Sequence, residues 1–278
     1  MSEALVKVPK APLGISRARL ALTFLVPSSI MVGLGQITSS LGLVGVGSSF
    51  LMLGWFVFRQ RREIQRFNRE SAAALARLAH GDLAAARECF WRWAETTRSP
   101  NVAAVARLNL GWTLIFQAEL DQAIAVLTDS VDRYATELRA QKVLHRNHIA
   151  NALAYALRGD CDAAETCLDK ALAARGSQEM LHGVYVAAII EIRRGNAESA
   201  AKVLEDSWVK LESTLTGMDL RPIRVVRGFA LAAAGVRAAG TASAALAGIR
   251  PMFPGEYHFL GVAWPEMAAF VASHDLAG

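Results

Sequence analysis

LNLGWTLIFQAELDQAIAVL, residues 108–127, holds two apolar helical periods separated by a short break. Before the break, Leu108, Trp112, Ile115 and Phe116 fall on one helical stripe, while Leu110, Gly111 and Leu114 fall on another. After it, Leu120, Ala123 and Leu127 repeat at helical spacing. A helix with two apolar stripes has to be covered twice. One stripe packs on its partner helix within the hairpin, and the other faces a neighbouring hairpin or another protein.

The break recurs. GDLAAA (81–86), AELDQA (118–123), GDCDAA (159–164) and GNAESA (195–200) each open on a small residue and close on Ala five positions later. A large apolar residue follows that Ala by four: Phe90, Leu127, Leu168 and Leu204. Three positions further on stands Ser130, Ala171 or Ser207, with Trp93 as the departure in the first copy. The opening residue suits a tight turn that needs unusual backbone angles. The closing Ala lets two helices approach closely, and the Asp or Asn after three of the turn glycines can cap the second helix.

These features resemble the tetratricopeptide repeat (TPR) family, the second copy most of all, through Leu110-Gly111, Leu114, Leu120, Ala123 and Leu127. Pro100, near the end of the first copy, also suits the family. The resemblance covers roughly residues 65–210. The breaks begin at 81, 118, 159 and 195, so the spacings are 37, 41 and 36 rather than a constant 34. A fifth unit, FALAAAGVRAAGTASAALAGI (229–249), is degenerate. The resemblance implies an all-α solenoid of about four to five antiparallel helix pairs over 59–250, with a concave groove lined by the first helices. Proteins of this kind usually bind other proteins and carry no chemistry of their own.

On that frame the groove stripe of Leu108, Trp112, Ile115 and Phe116 continues through Ile149, Leu153 and Leu157 to Tyr185, Ile189 and Ile192. An apolar groove of this length suits an amphipathic helix or an extended apolar segment. The tail, 251–278, offers a rival occupant: its Phe253, Tyr257, Phe259, Trp264 and Phe270 could fill the groove or cap the last repeat. In TPR domains that grip a partner's terminal carboxylate, the groove presents Lys, Arg and Asn. Here only Asn109 fits, and Leu153 and Leu157 stand where basic groups are expected.

The N-terminal quarter reads differently. Mean hydropathy is +0.26, and no Asp, Glu, Lys or Arg occurs from Leu20 to Phe58. One helix of that length would run to about 58 Å, roughly twice a bilayer's hydrocarbon thickness. Two spans near 19–36 and 40–58, joined through GQITSSLG (35–42), are the expectation, after an N-terminal segment 1–18. Lys7, Lys10, Arg17 and Arg19 precede the hairpin, and Arg59, Arg61, Arg62, Arg66 and Arg69 follow it. Basic residues on both sides favour both ends in the cytoplasm, and a composition that suits a GC-rich bacterium makes the inner membrane the expected location. The five following arginines are candidates for lipid head groups, and they account for the net charge of +5 better than nucleic-acid binding does.

Little else points to chemistry. Cys89, Cys161 and Cys167 form no CxxC pair and read as structural thiols. His145 and His148 lie one turn apart but have no carboxylate or thiol at helical spacing to complete a metal site. GLVGVGSS lacks the lysine of a phosphate loop. No cofactor is expected. The leading expectation is a membrane-anchored scaffold, not an enzyme, that binds a protein partner through the apolar groove. The alternative is a structural subunit of an envelope assembly that forms homo-oligomers through the hairpin, with a helical enzyme third.

Overall fold

The computed structural model describes residues 6–9, 39–135, 141–175, 181–215, 217–235 and 239–278. These residues are all-α, in twelve helices: α1 (Ser39–Ala79), α2 (Leu83–Thr96), α3 (Pro100–Phe116), α4 (Leu120–Tyr134), α5 (Gln141–Arg158), α6 (Cys161–Arg175), α7 (Leu181–Arg193), α8 (Ala197–Thr214), α9 (Gly217–Ala233), α10 (Ala239–Ala245), α11 (His258–Gly261) and α12 (Pro265–Ser273). Five consecutive pairs, α1/α2 to α9/α10, pack as helix hairpins. The first helices α3, α5, α7 and α9 also pack side by side, which stacks the hairpins into a solenoid.

The four repeated breaks close the first four pairs with one backbone device. Gly81, Ala118, Gly159 and Gly195 all have positive φ, at 84°, 62°, 97° and 86°. The next residue in each case donates its N–H to the carbonyl five positions back: Asp82 to Arg77, Glu119 to Leu114, Asp160 to Tyr155 and Asn196 to Glu191. This is the left-handed C-terminal cap that satisfies orphan helix carbonyls and turns the chain sharply. The expected side-chain caps are present twice, where Asp82 accepts from Ala85 N–H and Asp160 from Ala163 N–H. Asn196 differs, its amide donating back to Glu191 instead.

Behind each turn the small residue is sealed in: Ala86, Ala123, Ala164 and Ala200 are fully buried. Phe90, Leu127 and Leu204 are fully buried too, each contributing about 2–3 kcal/mol of transfer free energy. A Cβ built on Gly111 would come within 2.5 Å of the Leu127 side chain, which explains the missing side chain on α3. Pro100 opens α3 at its first turn, where a missing N–H costs nothing. The degenerate stretch 229–249 spans the end of α9 and the short α10, with Gly235 again at positive φ.

The expected transmembrane hairpin is corrected. The first span, 19–36, lies outside the described residues. The second, 40–58, falls in the leading half of α1, which does not stop at Phe58. It runs unbroken through Arg59, Arg61, Arg62, Glu63, Arg66 and Arg69 to Ala79 and buries Phe67, Ala74 and Leu78 against the repeats. Among the described residues no helix is long and apolar enough to cross a membrane. That finding overturns the assignment as an integral inner-membrane protein with a cytoplasmic repeat domain.

Candidate functional site in the concave groove

The first helices present one continuous face, and the protein's own tail divides it. At the C-terminal ends of these helices the tail is seated in the groove. Phe259 meets Phe116 edge to face, with centroids 5.1 Å apart, and Tyr257, Leu260 and Met267 are completely buried. Phe253 lies against Gly81, where a Cβ would come within 2.6 Å of its ring, so the tail reaches back to the first turn. Two charged clamps fix its course. Arg221 donates two hydrogen bonds to Glu256, at 2.6 and 2.8 Å, and another to the Arg250 carbonyl. Arg193 donates to the Ala263 carbonyl and lies over the Trp264 ring. Trp264 and Phe270 both pack edge-on to Phe229 of α9, so the tail also caps the last complete repeat.

Beyond the tail the groove stays open as a cavity of about 500 Å³. Its apolar wall is Leu75, Leu78, Leu108, Trp112, Phe116, Ile149, Leu181 and Met218, and its polar rim is Asn109, His145, Arg146, His182 and Asp219. Trp112 and Phe116 stack one turn apart at 6.1 Å, and the Trp112 ring lies 6.3 Å from that of His182. His182 Nε2 stands 3.9 Å from Asp219 Oδ1. The volume falls within the 300–1,000 Å³ usual for ligand pockets, and an apolar wall with a few polar groups is their usual lining.

The expected groove residues divide into three sets. Leu108, Trp112, Phe116 and Ile149 line the open cavity. Leu153 and Tyr185, with Trp112 and Phe116 again, line a pinched space of about 20 Å³ closed by Phe259. Ile115, Leu157, Ile189 and Ile192 are buried in the core between helices. The Tyr185 hydroxyl is buried with no hydrogen-bond partner among the described residues, and burial holds its pKa far above the ordinary tyrosine value.

Sequence reasoning missed Leu75, Leu78, Arg146, Leu181, His182, Met218 and Asp219 as cavity residues. Leu75 and Leu78 belong to the last turns of the long first helix. Met218 and Asp219 open α9, ahead of the degenerate stretch 229–249. Leu181 and His182 open α7, one helical turn before the stripe was picked up at Tyr185.

The remaining candidates carry less. His145 lines the cavity, whereas burial, then Lys170, lowers the pKa of half-buried His148. Among the described residues no three His, Cys, Asp or Glu side chains are grouped to hold a metal ion. Burial raises the thiol pKa of Cys89, Cys161 and Cys167. Arg59, Arg61, Arg62, Arg66 and Arg69 are exposed along α1. Arg66 pairs with Glu70 at 2.7 Å, and Arg69 donates to the Gln65 carbonyl.

No family model and no curated protein matches the chain. Among solved structures, two forms of the nearly identical TPR-like repeats of a Podosopora anserina protein assigned to the kinesin light chains are similar in outline. Each is 17% identical, covers 75% of this chain and 96% of the other, and superposes with a TM-score of 0.46. A likeness of that degree decides nothing by itself, and the assignment of the fold rests on the hairpins and their shared turns.

Proposed function

We propose that the protein is a scaffold that binds a partner protein in the open half of its concave groove, taking an aromatic-rich peptide segment there. The observation that supports this most directly is the tail. In the same groove, at the cavity's own wall residue Phe116, the face accepts a chain segment through Phe259. A partner segment placed beside it would meet Trp112, Leu108 and Ile149 with its apolar side chains and Arg146, His182 and Asp219 with its backbone or polar groups. Hydrophobic anchors in a pre-formed pocket supply affinity, and the rim supplies register.

The test is site-specific photocross-linking in cells, with a benzophenone amino acid in place of Arg146, Met218 or, as control, Val209. The first two line the cavity, and Val209 is exposed on α8. One partner captured from positions 146 and 218, absent from position 209 and lost on Trp112→Asp, is the expected result. Equal capture at all three positions, or capture indifferent to Trp112→Asp, would overturn the reading.

A second reading is self-association through α1. It draws on one observation: Leu51, Met52, Leu53, Trp55, Val57 and Phe58 stand exposed on consecutive turns, an unusual apolar concentration. The neighbouring exposed arginines would then act as a cationic collar for anionic groups, lipid phosphates among them.

A further inference from the structure

Away from the groove, residues 6–9, in neither helix nor strand, are seated on α3 and α4. Gln122 Nε2 donates to the Lys7 carbonyl at 3.1 Å, and Arg107 Nη2 donates to the Pro9 carbonyl. Val8, between them, packs against the main core, and Pro9 is buried. Among the described residues Arg107 is the largest side chain that is completely buried, and its other amino group pairs with Asp129. A buried guanidinium needs an acceptor for each donor it presents. Its Nε has none among the described residues, so the Pro9 carbonyl is one of only a few acceptors there. Proline is the residue that suits this position from the peptide's side, because burying it leaves no backbone N–H without an acceptor.

Two side-chain donors therefore read carbonyls two residues apart, with an apolar seat between them for one valine. That is how a protein recognises a peptide largely through its backbone. We propose that this cleft over Arg107 is a peptide-binding site separate from the concave groove. Residues 6–9 fill it in cis, and the same valine-and-proline segment of a second copy of the chain can take their place. The seated segment is short and contains no repeat helix, so its exchange removes none of the hairpins.

The test uses the full chain and a fluorescein-labelled peptide of sequence LVKVPK, residues 5–10, as probe. Val8→Asp combined with Pro9→Gly dislodges the resident segment. Fluorescence anisotropy is expected to show the probe binding this variant at least tenfold more tightly than wild type, whose cleft is filled. Adding Arg107→Met should return binding to the wild-type level. If that protein fails to fold by circular dichroism, Gln122→Ala, on a half-buried side chain, is expected to weaken binding several-fold. Equal affinity for wild type and dislodged variant, no binding to either, or binding insensitive to the Arg107 and Gln122 substitutions would each overturn the proposal.

Discussion

Phe259 of the tail stands edge-on to Phe116 of α3, their ring centroids 5.1 Å apart and their planes at 88°. This contact joins residues 143 positions apart at Phe116, which also lines the open cavity. Edge-to-face pairs add about 0.5–1.5 kcal/mol to the burial of the rings themselves.

Removing the tail's ring should therefore both loosen the fold and lengthen the groove. Phe259→Ala is expected to cost about 3–5 kcal/mol in urea denaturation, as large-to-small core changes do. It should also merge the cavity with the pinched space beneath Tyr185, seen as increased binding of an apolar dye to the folded protein. Unchanged stability would show that the tail does not pack as described.

The turns give a cleaner test of backbone conformation. Ala118 is the one residue of the four repeated turns that holds positive φ with a side chain, so Ala118→Gly should stabilise by about 1 kcal/mol. Gly195→Ala isolates the opposite cost, since nothing lies within 4 Å of the added Cβ, and should destabilise by about 1–2 kcal/mol. Gly81→Ala should cost more than Gly195→Ala, because its Cβ also meets the Phe253 ring at 2.6 Å. Thermal denaturation of the three variants checks the order.

The repeats were legible because their physics is local. A left-handed turn residue, a small residue on the crossing and a large one a turn later leave a fixed spacing, and it located all four turns. Gly111 and Leu127, separated by one hairpin, are legible for the same reason. The cavity was legible only where it continues a stripe, as at Trp112 and Ile149. Its far wall, Met218 and Asp219, lies in the first turn of α9, before any repeated spacing begins, and the tail's choice of seat depends on long-range packing that no spacing encodes. The apolar run before Arg59 misled for a related reason. Composition shows that a segment is greasy, but not whether it crosses a membrane, whereas Ile64 and Phe67 among the arginines do signal a helix that carries on into the first repeat.

His148 gives the pH dependence a sign. Burial, with Lys170 adding repulsion, lowers its imidazole pKa below the ordinary 6.5. The unfolded chain thus binds this proton at a higher pH than the folded one. The contribution is undiminished above 6.5 and declines as pH falls through that value towards the folded pKa. Between pH 7.5 and 5.5 the wild type should lose more stability than His148→Gln. Equal losses in urea titrations at the two pH values would show that this histidine is not the group responsible.

The pair of Arg107 and Asp129 makes the last prediction asymmetric. Arg107 is completely buried, while Asp129 is 22% exposed and is shared with Arg133 at 2.6 Å. Asp129→Ala strips the buried guanidinium of its countercharge and should cost about 3–5 kcal/mol. Arg107→Met removes the buried charge and leaves an apolar chain of similar length beside Tyr134. Asp129 then keeps Arg133 and water, so this change should cost far less, although it frees the Pro9 carbonyl. The double variant should resemble Arg107→Met alone, because with no buried cation the aspartate has nothing left to neutralise there. A double-mutant cycle in guanidinium chloride measures all three. If Arg107→Met proves as damaging as Asp129→Ala, the arginine's main contribution is its hold on residues 6–9 and not its balance with Asp129.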